Sequence, residues 1–403
     1  MKLFIQLWPL PQWWRPILFY AQQIETSMST YKNRTLRLLL FAALLGQIMI
    51  PSCKKKPTEP VEQTRNPREY VWSIDTLSYP NSFQTHMYDI WGSNAKSLYA
   101  AGHNDRGLGK MYYFNGAAWE DVKLSTVQGG NINGPIDLKA IHGFSPNDIW
   151  VVGERLDFNP NPPPNFLDSS LVIHYNGSGW FEVKDPILLT GRFWVTLWGT
   201  SSSDLWAGGV DATLFHYNGV EWRRLIPPVP LRPNLHVVVR SITGTLTGET
   251  VYMLIRTDDF NTIPQYEHYY FVEYANNAFT VIDVDSVVGG PYDVDWGHQA
   301  FWYSPWDKLY SVGDATLFEW TGERWKFIMR FNAQLENVFG SSADNFYVVG
   351  QYGQVWHYNG KDWHQFKQFE APDVPTYTGI WTDGKEVFIV GHNTHDTLVL
   401  HGK

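Results

Sequence analysis

Four aspartates in the second half of the chain have the spacing of a metal site built from oxygen ligands. Asp283 and Asp285 form one Asp-Val-Asp pair, Asp293 and Asp295 form a second, and a Gly-Gly-Pro turn lies between the pairs. Alternation along a strand would place both carboxylates of a pair on one face, and hard oxygen ligands suit Ca²⁺. The alternative is a solvated strand face with a turn. We favour the solvated strand face and expect no cofactor and no metal, with Ca²⁺ at these four aspartates as the open alternative.

Three histidines occupy equivalent positions in a recurring His-Tyr-Asn-Gly motif, namely His174, His216 and His357. A metal site needs ligands that converge, whereas equivalent positions in separate copies of a repeat point apart. We interpret these histidines as packing or hydrogen-bonding residues between repeats. Aspartates that recur in the loop before the second strand are interpreted as turn-forming residues that bond nearby backbone N–H groups; they are Asp148, Asp204 and Asp344.

Catalytic motifs are scarce. The one cysteine, Cys53, precedes the repeats, which excludes a Cys-based zinc site, an Fe–S cluster and a Cys–Tyr copper centre in the body of the chain. Sialidase-type Ser-x-Asp-x-Gly-x-Thr-Trp boxes do not occur, and no repeated position carries arginines that would converge. A carbohydrate-active enzyme, either a glycosidase or a lyase with its site at the central opening of the fold, remains the alternative to a non-catalytic protein.

The elements that must position these residues are copies of one unit. Runs of Val, Ile, Trp and Tyr bounded by Gly and Asn predict four short strands per copy, and the Asn-Gly pair predicts a type I′ hairpin. Four strands in about 40–50 residues are typical of a β-propeller blade. A marker glycine after the first strand recurs at intervals of 51, 56, 45, 53 and 43 residues, at Gly92, Gly143, Gly199, Gly244, Gly297 and Gly340.

The copies number seven when a split copy is included. In the worn fourth copy Asn276 takes the position of the hairpin glycine and Phe279 replaces the tryptophan of the last strand. The seventh copy stops at Lys403, where its tryptophan strand should follow, and an orphan strand of that type surrounds Trp72. The sequence thus predicts an all-β, seven-bladed β-propeller over residues 70–403, in which the N-terminal strand completes the C-terminal blade and leaves no free sheet edge.

The loops are uneven in length. From the glycine that ends the second strand to the hairpin glycine, copies three, five, six and seven span 10, 9, 10 and 11 residues, whereas copies one, two and four span 14, 24 and 21. Second-to-third-strand loops and blade-to-blade connections emerge on one face of a propeller, and loops on a rigid scaffold carry binding functions. The alternative is tolerated drift. The candidate ligand-binding residues in these insertions are Arg155, Asp157, Phe158, Phe166, Arg256, Asp258, Asp259, Tyr266 and Tyr269.

The N-terminal residues indicate export. A basic stretch with Arg34 and Arg37 precedes an apolar run over residues 38–50, which is too short for a bilayer span and fits a secretory signal. The sequence up to Cys53 resembles a bacterial lipobox, in which this cysteine is lipidated, although Pro51 departs from the usual pattern. The alternative is a cleaved signal with an incidental cysteine. We interpret residues 1–27 as a mis-called start before Met28, residues 28–52 as a lipoprotein signal peptide and 53–69 as a flexible tether.

The repeats also resemble those of a known group. Their Trp-Gly-Ser-Ser…Asp-Ile-Trp…Gly…His-Tyr-Asn-Gly…Trp pattern is similar to that of bacterial extracellular β-propeller lipoproteins. The resemblance implies the propeller fold and a cell-envelope location, and it implies no particular ligand.

The net charge of residues 70–403 disfavours one class of partner. Residues 70–403 contain 21 Lys and Arg against 36 Asp and Glu, and this negative charge disfavours nucleic acid. We expect a monomeric lipoprotein, anchored through its lipid to a membrane of the bacterial cell envelope, most consistently the outer membrane. Its propeller is expected to be a non-catalytic binding or scaffold module for a protein or glycan.

Overall fold

A computed structural model describes residues 66–161, 166–259, 266–288, 294–370 and 375–403. In these ranges the chain forms 28 strands and three short 3₁₀ helices, at Pro67–Glu69, Pro186–Thr190 and Lys367–Phe369. No helix among these residues is long and apolar enough to cross a membrane. The predictions for residues 1–65, including lipidation of Cys53, fall outside the described ranges.

The strands follow the repeat, and their bounds are as follows. The first fourteen are β1 (Trp72–Leu77), β2 (Thr85–Asn94), β3 (Ser97–Asn104), β4 (Met111–Phe114), β5 (Trp119–Asp121), β6 (Ile136–Ser145), β7 (Asp148–Phe158), β8 (Phe166–Tyr175), β9 (Trp180–Glu182), β10 (Arg192–Ser201), β11 (Asp204–Val210), β12 (Leu214–Tyr217), β13 (Trp222–Arg224) and β14 (Leu235–Gly244). The others are β15 (Thr250–Asp259), β16 (Tyr266–Ala275), β17 (Ala278–Val288), β18 (Ala300–Tyr303), β19 (Leu309–Gly313), β20 (Thr316–Trp320), β21 (Trp325–Arg330), β22 (Leu335–Ser342), β23 (Asn345–Gly350), β24 (Val355–Tyr358), β25 (Trp363–Gln365), β26 (Thr376–Thr382), β27 (Val387–His392) and β28 (Thr397–Gly402).

These strands form seven antiparallel four-stranded blades arranged in a closed ring, and single backbone bridges join blade 1 to blade 2 and blade 3 to blade 4. Blades 1 to 6 are β2–β5, β6–β9, β10–β13, β14–β17, β18–β21 and β22–β25. The first strand of every blade contacts the first strands of both neighbouring blades, and β26 returns to contact β2. The first strands therefore surround the central opening, the tryptophan strands lie outermost, and the predicted seven-bladed propeller is confirmed.

Blade 7 closes as the split copy predicts. Strand β1 pairs antiparallel with β28 in an unbroken register from Trp72 opposite Gly402 to Leu77 opposite Thr397. The hydroxyl of Thr397 is fully buried; it donates to the carbonyl oxygen of Thr85 at 2.7 Å and accepts from the N–H of Met87 at 2.8 Å. One side chain thus joins the last strand of the chain to the first strand of blade 1.

The packed domain begins slightly earlier than Tyr70. Asn66 caps the helix Pro67–Glu69, and the guanidinium of Arg68 donates to the carbonyl oxygen of Asp362 and lies 2.7 Å from its carboxylate. The last four residues of the predicted tether therefore have a defined conformation against blade 6.

The core lies between neighbouring blades, and the repeated aromatic residues form much of it. Trp222 of the outermost strand of blade 3 is 4% exposed and packs edge-on against Trp150 of blade 2, with ring centroids 6.1 Å apart. Trp180 contacts Tyr99 of blade 1 in the same way at 5.6 Å. Aromatic pairs of this geometry stabilise a core beyond the area that they bury, so these two tryptophans pack between neighbouring blades.

In blades 2 and 3 the recurring aspartate and histidine bond to each other within one blade. Asp148 accepts from Nε1 of Trp150 at 3.0 Å and contacts Nε2 of His174 at 2.8 Å. Asp204 repeats the arrangement with His216 at 2.8 Å. For these two blades the expectation that the aspartates bond backbone N–H groups and that the histidines act between blades is corrected, since the two side chains satisfy each other. In blade 6 Nε2 of His357 contacts Oδ1 of Asn345 at 3.1 Å instead.

The Asn-Gly turns differ from the predicted type I′ geometry. Gly177 and its equivalents have positive φ near 90°, but the preceding asparagines do not. In blade 2 the side chain of Asn176 accepts from the N–H of Ser178 instead, which makes a longer loop with an Asx turn. Only the worn fourth copy has both central residues at positive φ, at Asn276 and Asn277, because its strands pair up to Ala275 opposite Ala278 and leave a two-residue turn.

Candidate functional site

The long insertions are continuations of strands. We call the end of the propeller that carries the second-to-third-strand loops and the inter-blade connections the loop face, and the opposite end the turn face. Residues 154–158 of β7 pair with 166–170 of β8, and residues 256–259 of β15 pair with 266–269 of β16. Blades 2 and 4 therefore project hydrogen-bonded hairpins at the loop face, and the predicted binding residues lie on these hairpins.

In blade 2 the predicted residues divide into one structural arginine and one exposed aromatic residue. The guanidinium of Arg155 makes two bonds of 2.9 and 3.0 Å to the Glu182 carboxylate and donates to the carbonyl oxygen of Asn133 at 2.9 Å. The bond from Arg155 lowers the pKa of Glu182. Phe158 is 72% exposed. Asp157 and Phe166 are paired through their backbones to Leu167 and Phe158.

In blade 4 three of the five predicted residues are held in ion pairs. The carboxylate of Asp258 is fully buried and lies 2.7 Å from the guanidinium of Arg256 and 3.3 Å from His236. Asp259 lies 2.8 Å from Arg232. These contacts hold the hairpin to β14 and to the connection before it.

The two tyrosines of the blade 4 hairpin differ in exposure. Tyr269 is 7% exposed and stacks on His298 with ring centroids 3.9 Å apart. Tyr266, by contrast, is 40% exposed. Among the predicted residues whose side chains the structure describes, Phe158 and Tyr266 are thus the ones whose aromatic rings are exposed.

The predicted calcium residues are dispersed among other roles. Asp285 lies 3.0 Å from Nε2 of His298, whose Nδ1 lies 3.2 Å from Asp314. Asp283 accepts from the N–H of Val284, and Asp295 donates its own N–H to Asp285. Asp293 lies outside the described residues. Within those residues no group of three or more His, Cys, Asp or Glu side chains is placed to hold a metal ion, so Ca²⁺ at these aspartates stays the open alternative.

The buried His298 carries a shifted pKa. Burial lowers the pKa of His298, but the carboxylates of Asp285 and Asp314 outweigh burial and raise it above its ordinary value. Burial likewise acts to raise the pKa of Asp285, and the contacts with His298 and with the N–H of Asp295 lower it overall. The three residues therefore form a charged contact between blades 4 and 5, in which opposite charges favour the ionised forms.

A cleft of about 610 Å³ opens at the loop face between blades 1 and 2. We call it the blade 1–2 cleft. It is bounded by the β3–β4 loop, the β5–β6 connection and the β7–β8 hairpin, and a backbone bridge between His103 and Asp137 closes its base. Its volume is in the range of ligand-binding pockets, and apolar walls with a few convergent polar groups are what such pockets have. Sequence reasoning missed it, because its lining comes from two copies of the repeat.

The polar groups of this cleft are perturbed by burial. Burial raises the pKa of Glu154 to about 7, although the neighbouring charge of Lys139 acts to lower it. Burial lowers the pKa of Lys110 to about 8 and also lowers that of His103. Oε2 of Glu154 and Oδ1 of Asp137 are buried without a hydrogen-bond partner. Groups of this kind in a cleft mark it as a candidate functional site.

The central opening at the loop face is lined by one residue per blade. In six blades the first strand has a β-bulge at the same position, which re-aims one extra side chain. Blade 5 supplies the equivalent residue just before its first strand. The seven residues are Tyr88, Lys139, Val195, Arg240, Gln299, Glu336 and Thr378.

Neighbours in this ring contact each other. The ammonium of Lys139 lies 4.7 Å from the centroid of the Tyr88 ring. Gln299 bridges Arg240 and Glu336 by hydrogen bonds on both sides. These contacts satisfy the polar side chains locally. The ring residues can be found in the sequence. In most blades the ring residue lies two positions before an Ile, Leu or Val that recurs in the first strand, as Tyr88 lies before Ile90.

Exposed apolar side chains are concentrated at the loop face. Among the described residues ten large apolar side chains are exposed at this end and three, Val71, Val220 and Leu246, at the turn face. This uneven distribution makes the loop face the candidate interaction surface. The ten are Phe83, Val127, Leu156, Phe158, Ile187, Leu189, Ile226, Leu231, Tyr266 and Tyr352.

The closed ring of seven blades defines the class of protein as a seven-bladed β-propeller, and solved structures share this fold. A structure described as YCF48 bound to D1 peptide superposes with a TM-score of 0.52 at 13% identity, covering 84% of this chain and 95% of that chain. YCF48 from Cyanidioschyzon merolae superposes with a TM-score of 0.52 at 11% identity, covering 82% and 98%. No protein-family model and no curated protein sequence matches. At these identities the likeness is one of fold.

Proposed function

We propose that this protein is a non-catalytic binding or scaffold module that engages a protein partner through its loop face. The observation that carries the proposal is the distribution of exposed apolar side chains, which favours the loop face over the turn face by ten to three among the described residues. Exposed aromatic and aliphatic groups on a rigid frame are typical of protein-binding surfaces. The fold is consistent with this use, since the similar structure of YCF48 holds a D1 peptide.

The rigidity of the projecting hairpins supports the same proposal. Phe158 and Tyr266 lie at the ends of the two hairpins. In these hairpins the second and third strands of the blade are paired over four to six more residues than in the other blades. Arg155 and Asp258 fix those hairpins from below through buried or half-buried ion pairs. A partner that binds such side chains does not have to order the loops that present them, which lowers the entropic cost of association.

A carbohydrate-active enzyme, for which the sequence predicts a site at the central opening, is the second candidate, and the observation that favours it is the separate blade 1–2 cleft. A carboxyl group with a raised pKa beside a second carboxylate is the pair that glycosidases use. Glu154 and Asp137 both line this cleft. The ion pair between Asp137 and Lys139, at 2.7 Å, weighs against this reading because it occupies one oxygen of the presumed nucleophile.

Loss of apolar side chains from the loop face should abolish capture of the partner. We expect the full chain with Phe83→Ser, Phe158→Ser and Tyr266→Ser to lose at least about tenfold in affinity, because buried aromatic anchors each contribute 1 kcal/mol or more. The measurement is a quantitative pull-down from cell-envelope extract followed by titration of the captured protein.

The matched control is Val220→Ser with Leu246→Ser, which removes two of the three exposed apolar side chains of the turn face. An equal loss of affinity for the partner in both variants, or an unchanged affinity of the loop-face variant, would contradict the proposal. Release of sugar from envelope glycan by the purified protein, abolished by Glu154→Gln, would instead establish the enzymatic alternative.

We also propose that Cys53 anchors the protein to a bacterial membrane by its lipid. The basis is the lipobox-like sequence before the only cysteine of the chain. Metabolic labelling with a radioactive fatty acid should label the full chain and leave Cys53→Ser unlabelled, and fractionation should then move the variant out of the membrane pellet. Fatty-acid labelling of Cys53→Ser would contradict the assignment.

A further inference from the structure

We propose that the blade 1–2 cleft receives a basic side chain, lysine or arginine, from an otherwise apolar segment of the protein partner. The inference rests on the proposed function, since it specifies what the loop face recognises. It concerns a cleft that lies beside the exposed apolar residues of that face, with Leu156 shared between the two.

The shape of the cleft suits one long side chain with apolar neighbours. Its walls include Leu108, Ile136 and Leu156, and its volume of about 610 Å³ exceeds what a lysine or arginine side chain fills. Apolar walls accommodate the methylene stem of such a residue while its charged end reaches polar groups deeper in the cleft.

The cations already present in the cleft are engaged locally. Lys110 is 4% exposed and its ammonium donates to the carbonyl oxygen of Asn104. The guanidinium of Arg106 donates to the carbonyl oxygen of Asn81 and lies 3.6 Å from the Asp105 carboxylate. An anionic ligand would have to compete with these bonds, so the cleft is poorly prepared for an anion.

The carboxylates, by contrast, have unused acceptor atoms. Oδ2 of Asp137 pairs with Lys139, but its Oδ1 is buried without a partner, as is Oε2 of Glu154. Asp168 adds a third, exposed carboxylate at the rim. A buried acceptor left unsatisfied costs about 1–3 kcal/mol, and the positive charge of an ammonium or guanidinium in the cleft would stabilise the ionised forms of Asp137, Glu154 and Asp168.

Charge complementarity at long range points to the same occupant. Residues 70–403 carry 36 acidic against 21 basic residues, so a basic segment is attracted to this body and an acidic one repelled. The cleft itself contains four carboxyl groups and two cations, and the lowered pKa of His103 keeps its imidazole uncharged at neutral pH.

The test compares short peptides that differ in one charge. The probes are dye-labelled, end-capped peptides of sequence Gly-Leu-X-Leu-Gly, in which X is lysine, acetyl-lysine or norleucine, titrated by fluorescence anisotropy against the full chain. We expect the lysine peptide to bind at least about tenfold more tightly than the acetyl-lysine peptide. Asp137→Asn with Glu154→Gln should reduce this ratio to about one, and Leu156→Ser should weaken all three peptides alike.

The dependence on pH gives an independent readout. Glu154 faces Asp137 and Lys139 of β6 and Asp168 of β8, with His103 and Lys110 across the cleft. Because a cation binds its ionised form, the affinity for the lysine peptide should rise several-fold between about pH 6 and pH 8. Glu154→Gln should flatten that rise, and this single exchange keeps the proposal testable if the double variant fails to fold.

The matched control is Glu323→Gln with Asp383→Asn, which removes the same charge from exposed positions of the turn face. Equal affinity for lysine and acetyl-lysine peptides, or no binding of the lysine peptide, would overturn the inference. That result is distinguishable from failure of the proposed function, because capture of the partner by the loop face and its loss with Phe83→Ser, Phe158→Ser and Tyr266→Ser are measured without the peptides.

Discussion

Removal of residues 66–77 is expected to abolish cooperative folding of the propeller. The deletion takes away the six residue pairs between β1 and β28 and the buried side chains of Tyr70 and Leu77, which are 7% and 5% exposed. Burial of two such side chains contributes roughly 3–6 kcal/mol, and a domain has only about 5–15 kcal/mol in total. The deletion also exposes β28 as a free edge, which promotes aggregation.

Urea unfolding followed by circular dichroism and tryptophan fluorescence measures this effect. We expect the shortened protein to lose its cooperative transition and a synthetic peptide of residues 66–77 to restore it in trans, because the missing strand contributes through pairing. A peptide with Tyr70→Ser and Leu77→Ser should fail to restore it. Unchanged unfolding of the shortened protein would show that three strands suffice for blade 7.

Closure of the propeller was predictable from the sequence because comparison with the complete copies shows which strand an incomplete copy lacks. The orphan strand at Trp72 has the pattern of the other outermost strands, and the last copy stops one strand short. Hairpin turns, in contrast, were predicted from a dipeptide alone. The residues that flank the dipeptide also determine the turn type. The side chain of Asn115 accepts from the N–H groups of Ala117 and Ala118, so the strand pairing ends earlier than a type I′ turn would require.

The positions of the projecting hairpins were predictable from the sequence, whereas the contacts of their side chains were not. Insertion lengths indicated the loop face and blades 2 and 4, where the structure has its projecting hairpins. They did not reveal that Asp258 and Tyr269 are buried between strands, because a pairing partner distant in sequence decides which side of an inserted strand is covered. The blade 1–2 cleft depends on side chains from two blades, and single-copy patterns contain no information about such a contact.

Replacement of His298 by glutamine is expected to lower the free energy of unfolding by about 3–5 kcal/mol near pH 5.5, because it leaves two largely buried carboxylates without their cation. The side chain of His298 is 3% exposed, and those of Asp285 and Asp314 are 10% and 12% exposed. The effect is measured by urea unfolding of the wild-type and variant proteins, and a double-mutant cycle with Asp314→Asn isolates the coupling between the two residues.

The stability difference between wild type and His298→Gln should depend on pH in a way that packing alone cannot produce. The pKa of His298 is raised in the folded protein, so its contribution is complete below the ordinary value of about 6.5 and is lost as the pH rises through the folded-state pKa. The pKa of Asp285 is lowered, so its contribution is present above about pH 4 and is lost as the pH falls through its folded-state pKa. The difference in unfolding free energy between the wild type and His298→Gln should therefore be largest between about pH 4 and 6.5 and decline on both sides. In a background that carries Asp314→Asn and Asp285→Asn, the same His298→Gln substitution should show no such dependence on pH. A difference that stays constant across this range would mean that His298 stabilises the junction of blades 4 and 5 by its stacking on Tyr269 and not by its charge.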